Sequence, residues 1–214
     1  MRQDPTAIED TWLARAKRLL ALAETGQHFT NDPFDRERYD EIAAMARAML
    51  ADLGRVPISQ IEGLISDHAG GYATPSIDIR GAVIRDDHIL LVRERSDGCW
   101  AMPGGFADIG SSPAENIERE VLEEAGLQVR ARRLYALRHK ARHPYPADAR
   151  DFYKLFFLCE EVGEDAPQPG VETSEAAFFP MDALPELSLV RNLRRDIAEA
   201  FEAVSATPGT AVFD

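Results

Sequence analysis

The amino-acid sequence predicts an α/β protein in which a small N-terminal helical module precedes a mixed sheet with helices packed around it. Three observations carry this. Apolar residues recur at three- and four-residue spacing from Ala7 to about Asp67, a Gly-rich stretch closed by proline follows, and beyond it the apolar period shortens to two. The boundaries that result are a helical extension over 1–67, a linker over 68–75, an α/β domain over 76–205 and a tail over 206–214. A chain of 214 residues supports a large core without requiring two domains.

In the extension, Trp12, Ala16, Leu19, Leu20 and Ala23 form a first helical stripe, with Gly26 as its stop. Asp32-Pro33 opens a second helix, whose stripe is Tyr39, Ile42, Ala43, Ala46, Met49 and Leu50 and whose stop is Gly54. Val56-Pro57-Ile58-Ser59-Gln60-Ile61 opens a short third helix. Such stripes are core or interface, so the module leans on the rest of the chain or on a second subunit. After the linker, Ile77–Ile84 and His88–Arg93 form a hairpin about a turn at Asp86-Asp87. Leu134–Leu137, Phe152–Leu158 and Ala176–Phe179 are further strands. Leu189–Val204 is a C-terminal helix with Leu193, Ile197, Ala200 and Phe201 inward.

Composition narrows the function classes. Hydrophobic residues make up 45% and charged residues 29%, which fits a soluble globular protein. No run approaches the roughly 18 apolar residues of a membrane span, and the start lacks the apolar segment of a secretory signal, so a cytoplasmic location is expected and no membrane partner. Cys99 and Cys159 are too few for a disulfide framework and lack zinc spacing; both are expected to be buried small hydrophobes. A net charge of -13 argues against a stable nucleic-acid partner, because neutralising phosphates needs concentrated Lys and Arg. A small phosphorylated substrate remains compatible with it.

The chemistry concentrates between Gly105 and Leu127. Ser112, Pro113 and Glu115 provide an N-cap, a proline at the first helical position and the partner of a capping box; Gly126 provides the left-handed stop. Ile117, Val121 and Ala125 face a core. Glu120, Glu123 and Glu124 then fall at i, i+3 and i+4 and share another face, where their like charges cost the helix a few tenths of a kcal/mol per pair. A divalent cation reverses that sign. Carboxylates without sulfur or imidazole nearby suit Mg2+, with Mn2+ as the second choice, and Mg2+ held this way commonly also binds substrate phosphates. The plain alternative is a solvated acidic helix face.

The whole string resembles the Nudix box: Gly105, five residues, an acid, seven residues, then Arg119-Glu120-Val121-Leu122-Glu123-Glu124-Ala125-Gly126-Leu127. Every defined position but one matches; Ser111 stands where the pattern has its first glutamate, which in the family helps organise the site. The resemblance implies the Nudix α/β/α sandwich and metal-assisted hydrolysis of a nucleoside diphosphate linked to another moiety. It implies Glu120 and Glu124 as main metal ligands with Glu123 assisting, and a role for Arg119 whose setting the Ser111 departure puts in question. Trp100-Ala101-Met102-Pro103-Gly104-Gly105-Phe106 resembles the family's strand and Pro-Gly-Gly turn, with Gly104 and Gly105 as backbone contributors to the metal site. The general base is open between Glu120 and Glu123 in the box and Glu172 and Glu175 in a later loop.

The N-terminal stretches Trp12–Lys17 and Asp32–Tyr39, with Tyr72-Ala73-Thr74-Pro75, resemble the helical extension of a bacterial Nudix group acting on CDP-choline, ADP-ribose or related compounds. That resemblance implies a homodimer. Arg138-His139-Lys140-Ala141-Arg142-His143-Pro144-Tyr145 is the dense basic run of an acidic chain, so Arg138, Lys140 and Arg142 are candidates to pair with the diphosphate. His143, Tyr145 and Phe106 are candidates to stack on a base, whereas Trp100 is more a core residue. The competing reading for the basic run is a solvated connection. For the whole protein it is a Nudix-like nucleotide-binding or regulatory module without efficient catalysis.

Overall fold

Two long helices open the described chain, α1 over Thr11–Phe29 and α2 over Pro33–Gly54. The structure is a computed structural model and describes residues 11–54, 58–59, 61, 74–108, 110–163, 165–205 and 211–214. Asp32 starts α2: its Oδ1 accepts from the N–H groups of Phe34 at 2.7 Å and Asp35 at 3.2 Å, satisfying two of the unpaired first-turn donors. Ala16, Leu20 and Ala23 of α1 pack on Ala43, Ala46, Leu50 and Ala51 of α2, with Ile61 added. Gly26 differs from expectation. It lies inside α1, and a side chain there would collide with the Tyr39 ring at 2.4 Å, so this glycine serves the close approach of the two helices and not the end of one. Ile58, Ser59 and Ile61 are helical where the third helix was expected; its remaining residues, and the linker apart from Thr74 and Pro75, lie outside the described residues.

Beyond the helices the described residues build a seven-stranded mixed sheet. Its strands are β1 Ser76–Arg85, β2 His88–Glu94, β3 Trp100–Ala101, β4 Val129–His139, β5 Phe152–Glu161, β6 Thr173–Pro180 and β7 Val212–Phe213. The order is β3-β2-β1-β5-β4-β7, with β6 also paired along β2. Asp86 and Asp87 carry the β1–β2 turn at φ 48° and 59°, both left-handed, as a two-residue hairpin with the twist of the flanking strands requires. The tail contributes β7, which runs parallel to β4.

Each sheet face has a helix. On one, Ile117, Val121 and Ala125 of α3 (Pro113–Ala125) close over Ile79, Val83, Leu90 and Val92. On the other, Ile197 and Ala200 of α4 (Arg194–Ser205) close over Ala82, Ile89, Leu91 and Phe156. Successive residues of β2 thus enter opposite cores, as alternating side chains must. The last helix begins five residues later than the Leu189–Val204 span expected: a turn closed by Asn192 N–H on Ser188 O at 3.1 Å precedes it, and Asp196 Oδ2 accepts from Leu193 N–H at 2.7 Å at its start. Cys159 is buried, which pushes its thiol up to about 12, but Cys99 is only partly covered.

The chain divides into two compact units, Met1–Ser76 with Lys140–Phe152, and Ile77–His139 with Tyr153–Asp214. A connection between two strands is thus part of the helical unit. Ala149 packs on the α1–α2 core, and Asp151 takes Lys17 Nζ at 3.3 Å and the Ser76 N–H at 2.9 Å.

Candidate active site

After β3 the chain turns and runs beside β1. Gly81 N–H donates to Pro103 O at 2.9 Å, Ile79 N–H to Gly105 O at 2.8 Å, and Ala107 N–H to Ile77 O at 3.0 Å. Gly104 sits at φ 144°, and a Cβ there would lie 2.0 Å from the Ile79 carbonyl, so only glycine fits. A Cβ on Gly105 would lie 3.2 Å from Glu120 Oε2, so its absence leaves room for that carboxylate.

The α3 helix has the ends that its sequence predicts. Ser112 Oγ accepts from Glu115 N–H at 3.2 Å while Glu115 Oε2 accepts from Ser112 N–H at 2.7 Å, and Gly126 is left-handed at φ 68°. Gly81 of β1 lies under Val121 and Ile117, close enough that a Cβ would touch Val121 Cγ2 at 3.0 Å. With that stripe pressed on the sheet, Glu120, Glu123 and Glu124 turn to another side. The loop between β5 and β6 fastens the far end: Gln168 N–H bonds Ala125 O at 2.8 Å, and Gly170 N–H at 3.2 Å and Thr173 Oγ1 at 2.8 Å both donate to Glu124 O. Carbonyls that a helix end leaves without partners are satisfied in this way.

The three glutamates line one cleft of about 550 Å3 with Gly104, Gly105, Phe106, Glu172, Val171, Glu94, Arg80 and Arg191. Burial pushes the Glu124 carboxyl up to about 7, against the pull of the Arg80 guanidinium and of the Gly104 N–H, which donates to Glu124 Oε2 at 2.9 Å. Burial also raises Glu120, against Arg119, and Glu94, against Arg191 and Arg80. Buried acids in this state favour a cation. An all-oxygen donor set is the chemistry that suits Mg2+ or Mn2+, so the residues fit such an ion. Among the described residues no three His, Cys, Asp or Glu side chains already surround a single point, although the three glutamates line the same cleft.

Behind the cleft lies a buried ionic chain. Arg80 Nε donates to Asp78 Oδ1 at 2.8 Å and its Nη1 to Met102 O at 3.3 Å, while the fully buried Lys154 donates to Asp78 Oδ2. Burial works to raise Asp78, but the charges of Arg80 and Lys154 outweigh it and hold the carboxyl below its ordinary value. Arg191 Nε meets Glu94 Oε1 at 2.7 Å. Arg119 Nη1 donates to Asp108 Oδ2 at 2.6 Å and its Nη2 to Asn116 Oδ1 at 2.9 Å, and Nη2 stands 3.7 Å from Glu120 Oε1.

The structure thus brings Glu120, Glu123, Glu124, Gly104, Gly105, Phe106 and Glu172 together and sets Arg119 beside Glu120. The basic run goes elsewhere. Arg138 is buried between Glu199 and Asp196, and Lys140 donates to Asp148 at 3.0 Å with its ammonium over the Phe152 ring. Lys140, His143 and Tyr145 line a small pocket of the helical unit with Lys17, Asp148 and Arg150, and Arg142 is exposed nearby. Glu175 pairs with Arg93 at 2.7 Å, and Trp100 packs edge-on against Phe179. Sequence reasoning missed Arg80, Glu94 and Arg191. The alternation of Asp78 and Arg80 in an otherwise apolar strand is the signal that could have found Arg80.

The NUDIX domain profile matches residues 76–201. The chain belongs to the Nudix hydrolase family. A second profile, a UDP-X-like N-terminal oligomerisation domain, matches residues 10–65 of this Nudix chain. A putative ADP-ribose pyrophosphatase, YjhB, of Bacillus subtilis (strain 168) is 40% identical over 207 residues, 97% of this chain and 99% of the relative. Among solved structures, a UDP-X diphosphatase is 31% identical with a TM-score of 0.61, spanning 95% of this chain and 98% of its own. An ADP-ribose pyrophosphatase from Streptococcus suis 89-1591 is 37% identical with a TM-score of 0.58, spanning 66% of this chain and 100% of its own.

Proposed function

We propose that this Nudix protein hydrolyses the diphosphate of a nucleoside diphosphate linked to a second group, giving a nucleoside monophosphate and a phosphorylated partner, with Mg2+ as its cofactor and Mn2+ able to replace it. The carrying observation is that three helix glutamates share one cleft with two arginines, Arg80 and Arg191. Carboxylates alone would repel a diphosphate. Bound metal supplies charge neutralisation of the phosphate oxygens and activation of the attacking water.

Glu120, Glu123 and Glu124 hold the cation, Arg80 and Arg191 offer guanidinium donors to phosphate oxygens, and half-exposed Phe106 offers a ring to the nucleobase. Glu172, which lines the cleft, is the base candidate from outside the box, whereas Glu175 is engaged with Arg93. ADP-ribose and UDP-linked compounds head the substrate panel because relatives spanning nearly the whole chain carry those names. CDP-choline stays on the panel. Incubation in 18O-labelled water with Mg2+ is expected to yield a nucleoside monophosphate and a phosphorylated partner, with the label on one of the two. Glu120→Gln, Glu123→Gln and Glu124→Gln should each lower kcat by at least about tenfold with the fold retained. Ligand-dependent thermal stabilisation without any product would instead support a binding module.

A homodimer formed through the helical unit belongs to the same reading. Trp12, Leu19, Leu22 and Phe29 form an exposed apolar stripe along α1, and Phe34, Met45 and Leu53 are exposed on α2. The oligomerisation-domain profile over 10–65 supports it. A cytoplasmic location fits the charged composition, and among the described residues no helix is long and apolar enough to cross a membrane.

A further inference from the structure

We infer that Asp108 and Asn116 are positioning residues that do the work of the carboxylate missing at position 111, holding Arg119 so that Arg119 sets Glu120 in the cleft. This rests on the diphosphatase reading of the site. Ser111 leaves the loop before α3 without the acid that the box pattern places there. Something else must therefore fix the Arg119 guanidinium, which stands beside the cleft residue Glu120.

Two groups fix it from different sides. Asp108 Oδ2 takes Nη1 at 2.6 Å, and Asn116 Oδ1 takes Nη2 at 2.9 Å. A guanidinium gripped at both terminal nitrogens has lost its rotation, and Nη2 is left 3.7 Å from Glu120 Oε1. Asn116 is itself immobilised. It is buried, its Oδ1 also accepts the Asp108 N–H at 2.9 Å, and its amide nitrogen donates to Ser111 O at 3.2 Å and Ser112 O at 3.1 Å. One buried amide therefore ties the loop to the helix and passes that order to Arg119. Because the Ser111 carbonyl accepts from the same amide, an acid at 111 would branch from backbone tied to the residue that holds this guanidinium.

The test uses the full chain, ADP-ribose and Mg2+. Asp108→Ala and Asp108→Asn should lower kcat about tenfold, the lower end of what loss of a ligand-orienting partner costs, while KM moves by less than about threefold. Ser111→Glu in the Asp108→Ala background should restore most of the lost kcat. A second readout needs no turnover: 15N NMR of the arginine side chains should give resolved, slowly exchanging Arg119 Nη signals in the wild type. These should average in Asp108→Ala and reappear in the double variant. Wild-type kcat in both Asp108 variants, failure of Ser111→Glu to restore it, or unchanged Nη signals in Asp108→Ala would each overturn the inference. If the wild type hydrolyses nothing on the panel, the proposed function fails while the NMR readout still decides the clamp.

Discussion

Among the cleft carboxylates, Glu124 is the one that burial displaces furthest. Its carboxyl is raised from an ordinary 4.5 to about 7. In the unfolded chain the proton leaves near 4.5, so between these values the folded protein holds a proton that the unfolded one has lost. Stability from this group is full below about 4.5 and is lost as pH rises through 7, with an upper figure of roughly 3 kcal/mol. Glu124→Gln in chelator should therefore raise Tm at pH 8 by several degrees, about 4 °C or more, and by much less at pH 5, measured by calorimetry. An equal shift at both values would show that the ionised carboxylate is not strained. Added Mg2+ should narrow the gap at pH 8, because a bound cation favours the ionised form. The three glutamates were legible from their spacing on one helix face, but Asp78, Arg80 and Lys154 were not. Nothing local in their strands signals a pairing, and only the closed fold shows that each charge is buried with an opposite one.

The helix that carries the glutamates shows how much of an element local sequence specifies. Its cap, its proline, its apolar stripe and its left-handed stop all appear where the residues predict, since each acts within a few positions. Elements ended by distant partners were less readable. Gly26 looked like a terminator and is a contact, because the Tyr39 ring that demands it comes from another helix. The last helix likewise starts where Asp196 accepts the Leu193 N–H, not where the apolar run begins. The far end of α3 depends on Gly170, for which no local motif exists. A Cβ there would sit 1.7 Å from Glu123 O. Gly170→Ala should therefore displace the loop that bonds the Glu124 carbonyl, cost about 2 kcal/mol in urea unfolding and lower kcat. Wild-type stability would mean that the loop does not constrain the helix.

At the scale of the molecule, the sheet with a helix on each face was legible because two alternating cores impose their period on every strand. The assignment of Lys140–Phe152 to the helical unit was not, since the run reads as an ordinary basic connection between strands. The exposed α1 stripe predicts the assembly. Leu22→Arg, with Leu19→Arg as a second variant, should convert a dimer into a monomer in light scattering while leaving helix content unchanged. A wild-type dimer that survives both charges would place the interface elsewhere. The route of the backbone also bears on how such proteins recombine. Because the first unit is closed by Ala149 and Asp151, contributed from the middle of the gene, an exchange of N-terminal modules at a single crossover near residue 75 would separate Lys17 from its acid. Functional chimeras of this chain should require two grafted pieces, with the strap between the strands travelling alongside the helices it completes.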